Sequence, residues 1–136
     1  MADKTDFEGA CHCGGVRFRV HLPGGLKSAR RCDCSFCRMR GAVVVSATLD
    51  GIEFLAGEDL LTLYQFGTMT ARHHFCSRCG IYTHHQRRSD PSEYGVNVAC
   101  LGVSPFLPEV LVHDGVNHPS DGGGNRIAGV LRFTAS

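Results

Sequence analysis

The sequence has no tryptophan, only 3 tyrosines and 3 methionines, and no excess of charge of either sign. Lys+Arg 14 against Asp+Glu 13 leaves a formal net charge of +1. Proteins that work on phosphate backbones carry a basic excess, so a nucleic-acid partner is not expected. Long apolar runs are missing as well. The longest, Gly41-Ala-Val-Val-Val45, falls far short of the roughly 18 residues that cross a bilayer, so no membrane partner is expected. Met1-Ala-Asp-Lys-Thr-Asp-Phe-Glu8 has no basic segment leading into an apolar one, which points to a cytoplasmic rather than an exported protein. No window keeps a 3.6-residue period with caps at both ends, which argues against a helical bundle. At 136 residues, 43% hydrophobic and 20% charged, the chain reads as one globular domain, 1–136.

The patterns that are present belong to strands and turns. Val16-Arg-Phe-Arg-Val-His21 alternates with period 2, placing Val16, Phe18 and Val20 on one face before the turn at Pro23-Gly24-Gly25. Val43 to Leu49 is rich in β-branched residues, and Asp50-Gly51 then leads into Ile52 to Leu55, which reads as a hairpin. Further strands are expected at Leu60 to Phe66, at Tyr94 to Leu101 with Val96, Val98 and Cys100 inward, and at Glu109 to His113. A closing strand is placed at about 129–134, centred on Val130 to Phe133. The best helical piece is a turn or two from Ser35 to about Arg40, capped by Ser35. Arg87 to Ser92 reads as a polar loop, and Asn117 to Asn125 as the most flexible stretch. The fold class is mainly β with little helix.

Against this modest background the cysteines stand out. Eight occur, at 11, 13, 32, 34, 37, 76, 79 and 100. Their share is below that of a disulfide scaffold, and in a reducing compartment clustered thiols bind metal rather than pair. In Cys11-His12-Cys13 the two thiols of an extended segment point to one side. Cys76-Ser77-Arg78-Cys79 followed by Gly80 is a CxxC knuckle, the glycine permitting the backbone angle after the second ligand. Together they supply four thiolates for one closed tetrahedral zinc site that staples an N-terminal strand to a central hairpin.

Cys32-Asp33-Cys34-Ser35-Phe36-Cys37 supplies three thiolates from one short loop, with no obvious fourth partner at knuckle spacing. A closed site takes four ligands, whereas a catalytic one keeps three and leaves a position for substrate. Three thiolates on Zn²⁺ sum to −1, so the ion is poor at making hydroxide, but such a soft site accepts and deprotonates a fourth sulfur. Arg30, Arg31, Arg38 and Arg40 flank the cluster; they either offset its charge and hold carboxylates of a thiol substrate or form an ordinary solvated face. Cys100 reads as a buried core thiol. His73, His74, His84 and His85 bracket the knuckle and are each either packing or a route to the second metal. Tyr82 reads as core, while His113, Asp114, Asn117 and His118 are candidate pocket residues.

Gly9-Ala-Cys-His-Cys-Gly-Gly-Val-Arg-Phe18, Cys32-Asp-Cys-Ser-Phe-Cys-Arg38 and Phe75-Cys-Ser-Arg-Cys-Gly80, in that order, resemble the glutathione-dependent formaldehyde-activating (GFA) family, also called the centromere protein V domain. Gly57-Glu-Asp-Leu60, Tyr64-Gln-Phe-Gly67 and Gly95-Val-Asn-Val-Ala-Cys-Leu101 extend the resemblance over about residues 7–118. It implies a β-tent fold of twisted antiparallel sheets and two zinc ions. The structural zinc would be held by Cys11, Cys13, Cys76 and Cys79, the catalytic one by Cys32, Cys34 and Cys37. It further implies carbon–sulfur lyase chemistry, the joining of formaldehyde, or a related aldehyde, to glutathione or a similar small thiol. Two alternatives stand beside it. One is a non-catalytic zinc module that binds protein or nucleic acid, for which the chain lacks a basic tail. In the other both metals are structural, with His73 or His74 completing the second site.

Overall fold

A computed structural model describes residues 4–124 and 126–136; Asn125, which ends the glycine-rich stretch, lies outside the described residues. The strands are β1 (Asp6–Ala10), β2 (Arg17–His21), β3 (Arg30–Cys32), β4 (Val44–Thr48), β5 (Ile52–Ala56), β6 (Leu61–Tyr64), β7 (Arg72–Cys76), β8 (Tyr82–Gln86), β9 (Glu93–Asn97), β10 (Glu109–His113) and β11 (Ile127–Arg132). Among the described residues a single short α-helix, α1, spans Ser35–Arg40. The chain is therefore mainly β, as its period-2 patterns predict, and among the described residues no helix is long and apolar enough to cross a membrane.

Two sheets form. The smaller has the order β1-β2-β5, and the larger runs β11-β10-β3-β4-β9-β8-β7-β6. All pairings are antiparallel except β3 with β10, where Arg30, Arg31 and Cys32 lie beside Leu111, Val112 and His113. Inward residues of both sheets, with Phe18, Val20, Leu22, Val45, Val96 and Val98 almost fully buried, form one apolar cluster. Burial of Val, Leu and Phe side chains at about 1.5–3 kcal/mol each is the main force holding the two sheets together.

Several local expectations are revised. Asp50-Gly51 does turn the chain, with the Gly51 amide bonded to Thr48 O at 3.0 Å, but β4 and β5 do not form a hairpin. β4 pairs with β3 and β9, and β5 pairs with β2, where Ile52 faces Val20 and Phe54 faces Phe18. The turn thus carries the chain from one sheet to the other, because the apolar partners of Ile52 and Phe54 lie on β2. The expected strand to Leu101 ends at Asn97, whose side chain accepts from the Ala99 amide at 3.2 Å and starts a 3₁₀ turn over Val98–Leu101. The strand expected to reach Phe66 stops at Tyr64, and 3₁₀ turns occupy Glu58–Leu60 and Pro119–Asp121. Strands β1 and β3 had no sequence signal of their own, and their pairing is supplied by β2, β4 and β10.

Candidate metal centres and the cavity beside them

The sulfurs of Cys11, Cys13, Cys76 and Cys79 all lie within 4.8 Å of one another. Cys11 and Cys13 follow β1, with Sγ atoms 3.6 Å apart, and Cys13 Sγ is 3.8 Å from Cys76 Sγ. The knuckle closes where β7 turns into β8. The Gly80 amide donates to Cys76 O at 2.8 Å, the Cys76 amide to Ile81 O at 3.0 Å, and Gly80 has φ +76°. A side chain in that left-handed conformation is strained, so glycine is needed there. Backbone amides also point at sulfur. Val16 N donates to Cys11 at 3.3 Å, Gly15 N to Cys13 at 3.4 Å and Arg78 N to Cys76 at 3.4 Å. Amides of Cys13 and Ile81 draw the Cys79 thiol down to about 6. Four soft donors at this spacing, with N–H groups stabilising thiolate, fit a divalent ion such as zinc.

Cys32, Cys34 and Cys37 form a second group, again within 4.8 Å of one another, and no other His, Cys, Asp or Glu joins it among the described residues. Cys32 ends β3, and Cys34 rather than Ser35 caps α1, its Sγ accepting from the Cys37 amide at 3.3 Å. The three sulfurs perturb one another strongly. Hydrogen bonds from Cys32 and Cys37, then from the amides of Cys37 and Phe36, hold Cys34 well below the usual thiol range. The neighbouring sulfurs, then burial, push Cys37 up. Thiols this close share protons because their charges repel, and a cation removes that conflict. The donor set fits zinc as well, with one ligand position fewer filled by the chain.

Among the described residues, the second cluster and not the first lines a large cavity, of about 780 Å³. Arg30, Arg31, Arg38 and Arg40 line it together with Arg87 and Arg88, which by pattern alone belong to an ordinary polar loop. Arg87 is paired with Glu93 and Arg88 with Asp121. Arg30 donates to Ser28 O at 2.9 Å, and burial, then the nearby Arg87, bring its pKa down to about 10, so it stays protonated. Phe36 and Phe66, with ring centroids 5.4 Å apart, make an aromatic wall.

The roof is the 113–118 loop, anchored by a residue the motif reading passed over. Asp33 Oδ1 accepts from the amides of Gly115 at 2.7 Å and Val116 at 3.3 Å, and the Asp33 amide donates to His113 O at 3.2 Å. Gly115 is pressed against the sulfurs, since a Cβ there would lie 2.3 Å from Cys32 Sγ. His113, Asp114 and His118 line the cavity, whereas Asn117 serves to hold Asp114 through its amide at 2.9 Å.

The four knuckle histidines separate by strand register. His73 and His85 line the cavity and stack with centroids 5.0 Å apart. His74 and His84, on the opposite face, stack on each other at 4.6 Å and do not reach it. Neither His73 nor His74 joins the second sulfur group. Tyr82 is buried beneath Arg40, and Cys100 is a buried thiol whose Sγ lies 3.5 Å from Tyr82 O, outside both clusters.

The fold and these two groups define a mainly β protein that could hold two metal ions in thiol clusters, one of them facing a basic cavity. The family model described as glutathione-dependent formaldehyde-activating enzyme matches residues 6–112, and the chain belongs to that family. A Halomonas elongata protein, named provisionally as a glutathione-dependent formaldehyde-activating enzyme, is 38% identical over 81 residues. That match takes in 53% of this chain and spans 50% of the relative's length. A crystal structure of a Rhodobacter sphaeroides protein, a structural genomics target, is 62% identical, with a TM-score of 0.71 over 72% of this chain and 91% of that one.

Proposed function

We propose that the chain binds two zinc ions and, at the three-cysteine centre, adds glutathione or a similar small thiol to formaldehyde or a related aldehyde, in the cytoplasm. One observation carries the reading: four sulfurs gather in one cluster, while three gather in the other and face the cavity. Family membership supports the choice of substrates.

Zinc held by Cys32, Cys34 and Cys37 would supply a soft Lewis acid that prefers one further sulfur and lowers the pKa of an arriving thiol. The chain's own residues do the rest. Arg87 and Arg88 are engaged by carboxylates and Arg40 by the Cys37 sulfur, so among the described residues Arg30, Arg31 and Arg38 are the lining arginines with neither kind of partner. They suit the carboxylates of a small peptide thiol. Because the arginines line a concavity rather than a convex face, a small anion fits them better than a nucleic acid backbone. Phe36 and Phe66 also line the cavity and supply apolar surface that holds the reactants together.

In the reaction the thiol loses its proton to solvent and its sulfur bonds to the carbonyl carbon. The π pair moves to oxygen, which takes up a proton from water, and no oxidant or reductant is consumed. Exchange NMR with ¹³C-formaldehyde and glutathione measures the acceleration directly. The zinc-loaded protein is expected to speed exchange; no acceleration with glutathione or any other cellular thiol overturns the assignment.

A further inference from the structure

Arg40, in the last turn of α1, joins the three-sulfur cluster to a histidine 33 positions along the chain. Its Nη2 donates to Cys37 Sγ at 3.5 Å and its Nη1 to His73 Nδ1 at 2.9 Å. The guanidinium lies 3.7 Å from the centroid of the Tyr82 ring and 4.8 Å from that of Phe36. Its Nε is the one buried side-chain nitrogen or oxygen without a hydrogen-bond partner among the described residues. A buried donor is left unpaired only where stronger contacts dictate the placement of its group, and here those contacts are the two aromatic faces, the sulfur and the imidazole.

The direction of the Arg40–His73 bond follows from chemistry. A guanidinium has no acceptor and does not deprotonate, so Nδ1 supplies the lone pair, and the proton of the neutral ring sits on Nε2. Packing fixes the plane of the ring, with Phe36 at 4.5 Å, His85 at 5.0 Å and Phe66 at 5.9 Å between centroids. His73 keeps 6% of its surface, and the cavity is what it faces. Burial, then the charge of Arg40, lowers its pKa to about 4, so the ring is neutral at pH 7.

We propose that Arg40 fixes His73 as the neutral Nε2–H tautomer, and that this N–H is the hydrogen-bond donor to the carbonyl oxygen of the aldehyde. The inference rests on the thiol–aldehyde reading above and deepens it. As the sulfur–carbon bond forms, the π pair moves onto oxygen and the His73 Nε2–H stabilises that charge without leaving nitrogen. Water then supplies the proton that completes the hydroxyl. A neutral imidazole already held in one tautomer donates this bond without reorganising and needs no proton returned to it. His73 is thus the catalytic residue and Arg40 the positioning residue.

The test uses the zinc-loaded full chain. Long-range ¹H–¹⁵N NMR of the imidazoles is expected to show His73 as the Nε2–H tautomer at pH 7, and Arg40→Met to convert it to a tautomer mixture. In the exchange assay His73→Phe is expected to lose about a hundredfold in kcat with little change in KM for the thiol. His73→Gln, which keeps an N–H in reach, is expected to recover part of that loss. If His73→Phe fails to fold, Arg40→Met supplies the same comparison, its kcat loss tracking the tautomer shift. A wild-type Nδ1–H tautomer, or a His73→Phe enzyme within twofold of an active wild type, overturns the proposal alone. A wild type that never accelerates exchange overturns the thiol–aldehyde reading and this proposal with it.

Discussion

Replacing Gly115 with alanine asks whether the 113–118 loop is the roof of the three-cysteine centre. The new Cβ would stand 2.3 Å from Cys32 Sγ, 2.7 Å from Cys34 Cβ and 2.9 Å from the Cys34 amide nitrogen. Ordinary contacts between such atoms are about 3.5–4.0 Å, so loop or sulfur must give way by roughly 1 Å. The loop is not free to retreat, because Asp33, between the two cysteines, holds the Gly115 and Val116 amides at 2.7 and 3.3 Å. Overpacking of this kind costs about 1–3 kcal/mol. The share that falls on the metal-loaded form weakens binding tenfold for every ~1.4 kcal/mol, giving roughly ten- to a hundredfold at one of two zinc steps. Competition with a chromophoric chelator reads the two steps separately, and urea unfolding reads the total cost. Gly129→Ala is the control, since a Cβ there meets nothing within 4 Å, and it is expected to stay within about 0.5 kcal/mol of wild type. Should Gly115→Ala hold both zinc ions as tightly as Gly129→Ala, the loop does not press on the centre as described.

The two clusters are expected to fail differently. Cys79→Ala removes one of the four sulfurs that tie the end of β1 to the β7–β8 turn and is expected to unfold the protein; Cys34→Ala is expected to lose about one zinc per chain and remain folded. Metal counting with circular dichroism separates these outcomes, and equal unfolding in both variants refutes the distinction. Acid sensitivity should carry a histidine signature. Burial, then His74, lowers His84 to about 3, so between the unfolded value near 6.5 and that folded value the unfolded chain binds the extra proton. Its contribution is therefore complete above about pH 6.5 and is lost as the pH falls toward 3. Over about pH 6 to 4, His84→Asn is expected to reduce the slope of stability against pH by about 1.4 kcal/mol per unit, measured by urea unfolding at each pH. An unchanged slope would show that His84 is not held neutral by burial.

Much of the β architecture could be read from local pattern. Val16 to His21 alternates because one face of β2 meets the core, and the alternation survives with only Arg17–His21 counted as strand. Where local pattern and partner disagree, the partner prevails. Ile52 and Phe54 are drawn to β2 instead of to their chain neighbour β4. Val98 and Cys100 keep the inward placement that alternation predicts, yet reach it from a 3₁₀ turn, because Asn97 caps the backbone there. Ser35 is the better capping residue by type, but it is the first residue of the helix, and the cap is Cys34 before it, whose sulfur accepts from the Cys37 amide.

What the chain alone determined was the inventory and grouping of its sulfurs. Spacings of two and three residues fix which thiols leave the backbone together, so CxC, CxxC and CxCxxC, and the contrast of four with three, are written in local covalent geometry. Which element faces those sulfurs is a long-range matter. Asp33 meets Gly115 across 82 positions and Arg40 meets His73 across 33, and neither pair leaves a trace in any short window. Register decides the rest. Successive side chains of β7 and β8 point to opposite faces, so sheet pairing sends His73 and His85 to the cavity and His74 and His84 away from it.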